Sequence, residues 1–350
     1  MTLTELSYFS RRFLPVGVII LFIVLILYYA LRLTFILCCS TQPPPQLVFN
    51  TRFGQIKKPA ISDVSANIPK TYTLDTIEGQ PVTATEAAKI YFVPQETTRF
   101  GYRSRVISMG SAMGFDTNTI DYRLVNDTEA QYSDASAEAT IDITTFNYHY
   151  IYNVKNNPDL FNNAYVPEQN EFENKAADFL KSLGKYPDEF AQGKTNDIFM
   201  HYDPLTDALR VVTSASDANM VEIDYYTPDI EGIPVVAPKY FNSQNYVVLV
   251  FNDSGAHIVK SQIKYFRKSD EVFGLYPVKT GVTAWEQLKT GKGYIISNLG
   301  TRSDVKITKM FLAYLDLDAY AEYVQPVYVF LGNDNFVGYV PAIDDKYLAP

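Results

Sequence analysis

Residues Phe13 to Leu31, FLPVGVIILFIVLILYYAL, form an unbroken run of nineteen uncharged and mostly apolar positions. At about 1.5 Å rise per residue, a helix of that length covers roughly the hydrocarbon thickness of a bilayer. The apolar character continues past Arg32 to Cys39. That exceeds the apolar region of a cleaved signal peptide, and no A-x-A-like cleavage site follows. The pattern predicts a transmembrane anchor over Phe13–Cys39, with the lipid bilayer as its partner. Arg32 sits near the end of the span, where its long side chain can reach the headgroups. Tyr28 and Tyr29 fall near the same interface, which favours amphipathic rings.

After the anchor the pattern changes. Gln42 to Gln46 (QPPPQ) favours an extended polyproline spacer, and Asn50 to Lys70 shows little periodicity. Three helix-like stretches follow. Arg99–Met113 places Tyr102, Val106, Met109 and Met113 on one face. Glu171–Leu183 carries an apolar stripe of Phe172, Ala176, Phe179, Leu180 and Leu183, with Asn170 and Glu173 resembling a capping box. The third begins at Thr283, which has true capping-box spacing to Glu286. It turns Trp285 and Leu288 inward and stops at Gly291 or Gly293. Thr85–Tyr91 is a shorter helix candidate.

Strand-like sequence lies between. Ala139–Ile143 and Phe146–Val154 are broken at Thr144-Thr145. Ile198–Tyr202 pairs with Ala208–Thr213, Tyr246–Phe251 with His257–Tyr265, and Tyr323–Leu331 with Phe336–Ile343, each across a turn-rich loop. Val305–Leu315 is a further strand. The expected fold is α+β: an N-terminal transmembrane helix, then antiparallel sheets each packed by a helix in about three helix-plus-hairpin units. The expected organisation is a tail (1–12), the anchor (13–39), a tether and extended segment (40–70), and α+β units at 71–160, 161–281 and 282–350.

Charge and cysteine usage refine this picture. The chain has net charge −9, and its first 39 residues carry three Arg and one Glu, so the remainder is at −11. Such an acidic domain is a poor partner for nucleic acid or anionic lipid. Arg11 and Arg12 before the span favour a cytoplasmic tail, which puts the large domain outside. The two cysteines, Cys38 and Cys39, lie at the membrane boundary. No disulfide can therefore form within the large domain. Twenty-seven Tyr against one Trp suit strands with one wet face.

Several stretches carry a family likeness. Phe53-Gly54-Gln55-Ile56-Lys57-Lys58-Pro59, Tyr72 to Gly79 (YTLDTIEG) and Ala88 to Pro94 (AKIYFVP) resemble a family of uncharacterised single-span membrane proteins from candidate-phyla bacteria. That likeness covers most of the chain. Ala284 to Gly293 (AWEQLKTGKG), with Gln325 to Phe330 (QPVYVF), resembles PepSY-like modules and the membrane-anchored regulators of a Gram-positive cell-wall sensor kinase. This second resemblance implies an envelope-facing α+β module that binds or regulates rather than catalyses, and it carries over no functional residue.

Catalytic and metal chemistry find little support. His149, His201 and His257 lie in separate expected strands without metal-ligand spacing. Ser182–Lys185, Ser261–Lys264 and Ser303–Lys306 match S-x-x-K, and Lys279–Gly281 and Lys289–Gly291 match K-T-G. The serine at a helix start and the S-D-N element of penicillin-binding enzymes are missing. Asp316 and Asp318, and Asp334 in its turn, offer carboxylates for calcium but no EF-hand pattern. The sequons at Asn126 and Asn252 carry no weight in a bacterial chain. No catalytic, cofactor or metal residue is therefore assigned, and no cofactor is expected. The reading is a single-pass membrane protein of the cell envelope whose extracytoplasmic domain binds or regulates, with an envelope or membrane protein as partner. An anchored hydrolase acting on cell-wall or extracellular polymer is the alternative; a deep cleft with converging carboxylates or a Ser-Lys pair would favour it, and flat sheets without such a cleft would favour the binding reading.

Overall fold

The computed structural model describes residues 3–39, 48–61, 71–95, 100–298 and 304–349. The chain divides into two compact units, Met1–Val48 and Phe49–Pro350.

The first unit contains one continuous helix, α1, Leu3–Cys39. Within it Val16–Phe35 is long and apolar enough to cross a membrane, with mean hydropathy 2.6 and no residue buried by the protein. An N-terminal signal sequence passes the same test of length and composition. Val, Ile and Leu side chains there present apolar surface on every side, as expected of a helix solvated by lipid.

The second unit is α+β. Its largest sheet has nine strands, all antiparallel, in the order Arg123–Leu124, Glu129–Ser133, Ala137–Asp142, Tyr148–Tyr152, Gly255–Ile263, Tyr246–Asn252, Met220–Tyr226, Lys194–Asp203 and Ala208–Val211. Tyr148–Ile151 pairs with Lys260–Ile263. The division drawn at 160/161 from the sequence therefore corresponds to no break in this sheet. Helices α2 (Tyr102–Ala112) and α3 (Gln169–Ser182) cover one face. Val106, Met109, Phe172, Ala176 and Leu180 pack there on Val221, Ile223, Val247 and Leu249. Each large aliphatic side chain buried in this way contributes about 1.5–3 kcal/mol.

A six-stranded sheet runs Val235–Val236, Asp304–Leu315, Pro326–Gly332, Val337–Pro341 and Tyr294–Ser297, with Thr71–Leu74 parallel to the start of the long strand. Helix α5, Gly281–Lys289, lies on it and buries Trp285 and Leu288 with Phe330 and Val340. That is the arrangement expected for the C-terminal stretch. Gly281 is required by crowding, since a Cβ there would stand 2.2 Å from the Val82 carbonyl oxygen. A three-stranded sheet, Phe273–Pro277, Ala87–Phe92 and Tyr323–Val324, and a parallel pair, Ile56–Lys57 with Leu348–Ala349, complete the unit.

Some local expectations change. Thr85–Tyr91 is not a helix; Ala87–Phe92 is a strand, held between two partners. The cap of α5 is Thr280 rather than Thr283, with its hydroxyl accepting the Thr283 N–H at 3.1 Å. Helix α3 starts at Gln169, one residue before Asn170, and its N-cap, Glu168, makes no side-chain cap. The break at Thr144-Thr145 is a turn, organised by Asp142 Oδ1 accepting both backbone N–H groups at 2.9 and 2.7 Å.

Candidate functional site

Three described segments leave or enter the nine-stranded sheet here: 227–234 and 237–245 link it to the six-stranded sheet, and 264–272 links it to the three-stranded one. Two of them, with the short helix α4 (Asp188–Gln192), form the walls of a cleft of about 530 Å³. Clefts at junctions between sheet systems are common ligand sites.

Each wall has a local cause. Helix α4 starts after Pro187 and places Asp188 and Glu189 in its first turn, where the helix dipole favours anions. It ends at Gly193, and a Cβ there would lie 1.8 Å from the Tyr226 carbonyl oxygen. Only glycine lets the helix end pack so closely on the strand. The segment Asp229–Ile233 is a tight hairpin turn, with Ile230 and Ile233 exchanging two backbone hydrogen bonds of 2.9 Å. Glu231 and Gly232 both have positive φ, as a type I′ turn demands. This aims Glu231 at Lys89, with which it forms an ion pair. Lys89 also lies 4.5 Å over the Phe273 ring.

The opposite wall is Tyr265-Phe266-Arg267-Lys268 and Asp270. Lys268 pairs with Asp270 and lies 4.7 Å over the Tyr91 ring. Burial first, then the neighbouring Glu189 carboxylate, raises the pKa of the Tyr265 phenol. Among the described residues, Asp188, Asp229 and Asp316 form no ion pair with a lysine or arginine, and the lining is acidic overall. Asp316 enters where the long strand of the six-stranded sheet ends. Its N–H donates to the Val236 carbonyl at 2.9 Å, and its Oδ1 accepts from the Leu317 N–H at 2.9 Å. Burial, with a smaller contribution from Asp318, pushes its carboxyl up to about 7.

The residues weighed from the sequence are dispersed. His201 Nδ1 lies 3.0 Å from the Asp217 carbonyl oxygen, His257 bonds Ser254 at 2.8 Å, and His149 is paired in register with Gln262. Among the described residues no group of three His, Cys, Asp or Glu is placed to hold a metal. Ser182 donates to the Phe179 carbonyl at 2.7 Å, whereas Lys185 is buried against Thr145 O and Asn147 Oδ1. Ser261 bonds Tyr148 and the Tyr246 carbonyl. Ser303 lies outside the described residues. Lys279 is buried and paired with Asp345 at 2.7 Å, while Lys289 pairs with Glu286. Asp316 and Asp334 sit at opposite ends of the paired strands Asp304–Leu315 and Pro326–Gly332, so they share no site. Only Asp316 of these candidates enters the cleft. Its other walls escaped sequence reasoning, although Pro228-Asp229-Ile230-Glu231-Gly232 is a readable turn signal.

No family model matches the chain, and no curated protein matches it. Among solved structures the chain is similar to an uncharacterised protein from Eubacterium rectale, at 12% identity and a TM-score of 0.33, over 79% of this chain and 88% of the other.

Proposed function

We propose that this is a membrane-anchored, extracytoplasmic binding or regulatory protein whose cleft receives a polar segment of an envelope or membrane protein. The cleft carries the reading. Acidic groups, cations and aromatic rings alternate along its walls, a lining suited to a peptide with mixed charge and apolar side chains. The apolar helix Val16–Phe35 supports a fixed position at the bilayer, and Arg11-Arg12 supports the outward orientation. The likeness of the 282–350 stretch to PepSY-like and sensor-kinase-regulator modules supports regulation over catalysis.

The test is capture of partners by the intact chain from mild detergent, alongside a variant with the cleft filled by Val235→Trp. A partner held by the native chain and lost from the folded variant supports the reading. Equal capture by both overturns it. Protease added to intact spheroplasts should digest the large domain; full protection until lysis reverses the orientation.

One observation favours the alternative of an anchored envelope hydrolase. A carboxyl held near neutral pKa in a cleft, as Asp316 is, has the poise of a general acid. Hydrolysis of cell-wall polymer by the native chain, abolished in Asp316→Asn, would establish it.

A further inference from the structure

We propose that Asp224 is a proton-operated latch on the strap 237–245, which returns the chain from the six-stranded sheet to the nine-stranded one. This does not depend on what the cleft binds. Asp224 is fully buried in the strand Met220–Tyr226, on the face turned away from α2 and α3. Its Oδ2 accepts the Ser243 N–H at 3.3 Å and lies 3.4 Å from the Tyr226 hydroxyl. Its Oδ1 has no hydrogen-bond partner among the described residues. The same Tyr226 hydroxyl lies 3.3 Å from the Phe241 carbonyl oxygen on the strap.

One O–H cannot fully serve two acceptors. With a proton on Oδ2, the acid donates to the Tyr226 oxygen, and Tyr226 donates its own proton to Phe241. The relay then runs from the sheet onto the strap. When Asp224 ionises, the carboxylate takes the Tyr226 proton for itself. The Phe241 carbonyl loses its donor, and a buried negative charge faces the strap with one oxygen bare. A buried charge without a counter-ion is expensive, so the middle of the strap yields.

The strap is held more firmly at its ends than in its middle. Its ends are pinned. Tyr339 donates to the Ala237 carbonyl at 2.8 Å, Ser243 Oγ to the Tyr225 carbonyl at 2.6 Å, and Gln244 to the Leu317 carbonyl at 2.8 Å. Its middle is strained and exposed: Tyr240 has φ +64°, and Phe241 and Asn242 face solvent.

The charged surroundings do not neutralise Asp224. Glu222 lies on its own strand, Lys194 and Asn196 on one neighbour, Tyr246 on the other with Lys260 beyond it, and Lys239 on the strap. Asp224 forms no ion pair among the described residues, and Asn196, its register partner on the neighbouring strand, favours the charged form only slightly. Burial, then the Glu222 charge, pushes its carboxyl up to about 7, so the exchange of partners falls near neutral pH.

Hydrogen exchange of the full chain in detergent tests this, at about pH 5 and about pH 9 after correction for the chemical rate. The amides of residues 240–242 should exchange on the order of tenfold more freely at the higher pH, while Ser243, whose N–H the carboxylate accepts, and Tyr246–Asn252 do not. Asp224→Asn cannot ionise and should make the exchange of the strap independent of pH. Tyr226→Phe, which breaks the relay and spares the core, should leave the strap as open in acid as the native chain is in alkali. Equal protection of the native strap at both pH values would overturn the latch. So would a native-like pH response in whichever variant folds.

Discussion

Trp285 lies 6.1 Å from Phe330, ring centre to ring centre, where α5 meets the six-stranded sheet. Tyr72 meets the same indole edge-on at 6.5 Å, so the lone tryptophan is packed by two aromatic rings. Replacing Trp285 with Ala should cost on the order of 3–5 kcal/mol in denaturant unfolding. Native emission should be blue-shifted and protected from quencher. Red, freely quenched emission would mean that the indole is exposed and available to a partner.

Lys279 and Asp345 should respond unequally to truncation. The Lys279 side chain is 4% exposed, whereas that of Asp345 is 61% exposed. Asp345→Ala leaves a buried ammonium with only Gln287 at 2.9 Å, and should cost about 3 kcal/mol. Lys279→Met leaves Asp345 with water, and should cost under about 1.5 kcal/mol. Chemical denaturation of both variants checks the order. A larger loss for Lys279→Met would refute this account.

Stability should peak on the acid side of neutrality. Burial first, aided by neighbouring carboxylates, raises Asp224 and Asp316 to about 7 and Asp197 to about 6. The native state therefore holds more protons than the unfolded chain between about pH 4 and pH 7, and stability falls as pH rises through that window. In the other direction, burial alone would raise Asp142, but hydrogen bonds from Thr144 and Thr145 hold it below the ordinary range. Its contribution is lost as pH falls below about 4. Melting temperatures should be highest near pH 5 and decline toward pH 8. A flat or rising profile across that interval would contradict the raised carboxyls.

Gly193 should tolerate no side chain. Alanine would bring its Cβ onto the Tyr226 carbonyl oxygen and force α4 off the strand end. The expected loss is about 3 kcal/mol, together with an altered cleft wall. Native stability in Gly193→Ala would show that α4 can shift without cost.

A chain beginning at Phe49 should be soluble without detergent, while the full chain should sediment with membranes, because the uncovered apolar surface of Val16–Phe35 lies in the first unit. Membrane partitioning of the shorter chain would reveal a second membrane-binding surface.

What was legible in the sequence is what local pattern controls. The uncharged run before Arg32 is enough to specify a long apolar helix. Phe172, Ala176 and Leu180 mark the buried stripe of α3, and Asn252-Asp253-Ser254-Gly255 marks a hairpin, because side-chain periodicity and turn chemistry act over a few residues. The apolar spacing of Thr85–Tyr91 suits either period, so it suggests a helix where Ala87–Phe92 is a strand. Pairing with Phe273–Pro277, nearly two hundred residues later, decides for strand. The cleft depends on similar long-range pairings. Lys89, Glu231, Lys268 and Asp316 meet because the chain crosses repeatedly among the nine-, six- and three-stranded sheets, and no local spacing records those crossings. The same holds for the carboxyls. Asp224 and Asp316 read as ordinary acidic residues until the surrounding strands remove water from them, and desolvation is a property of the assembled fold alone.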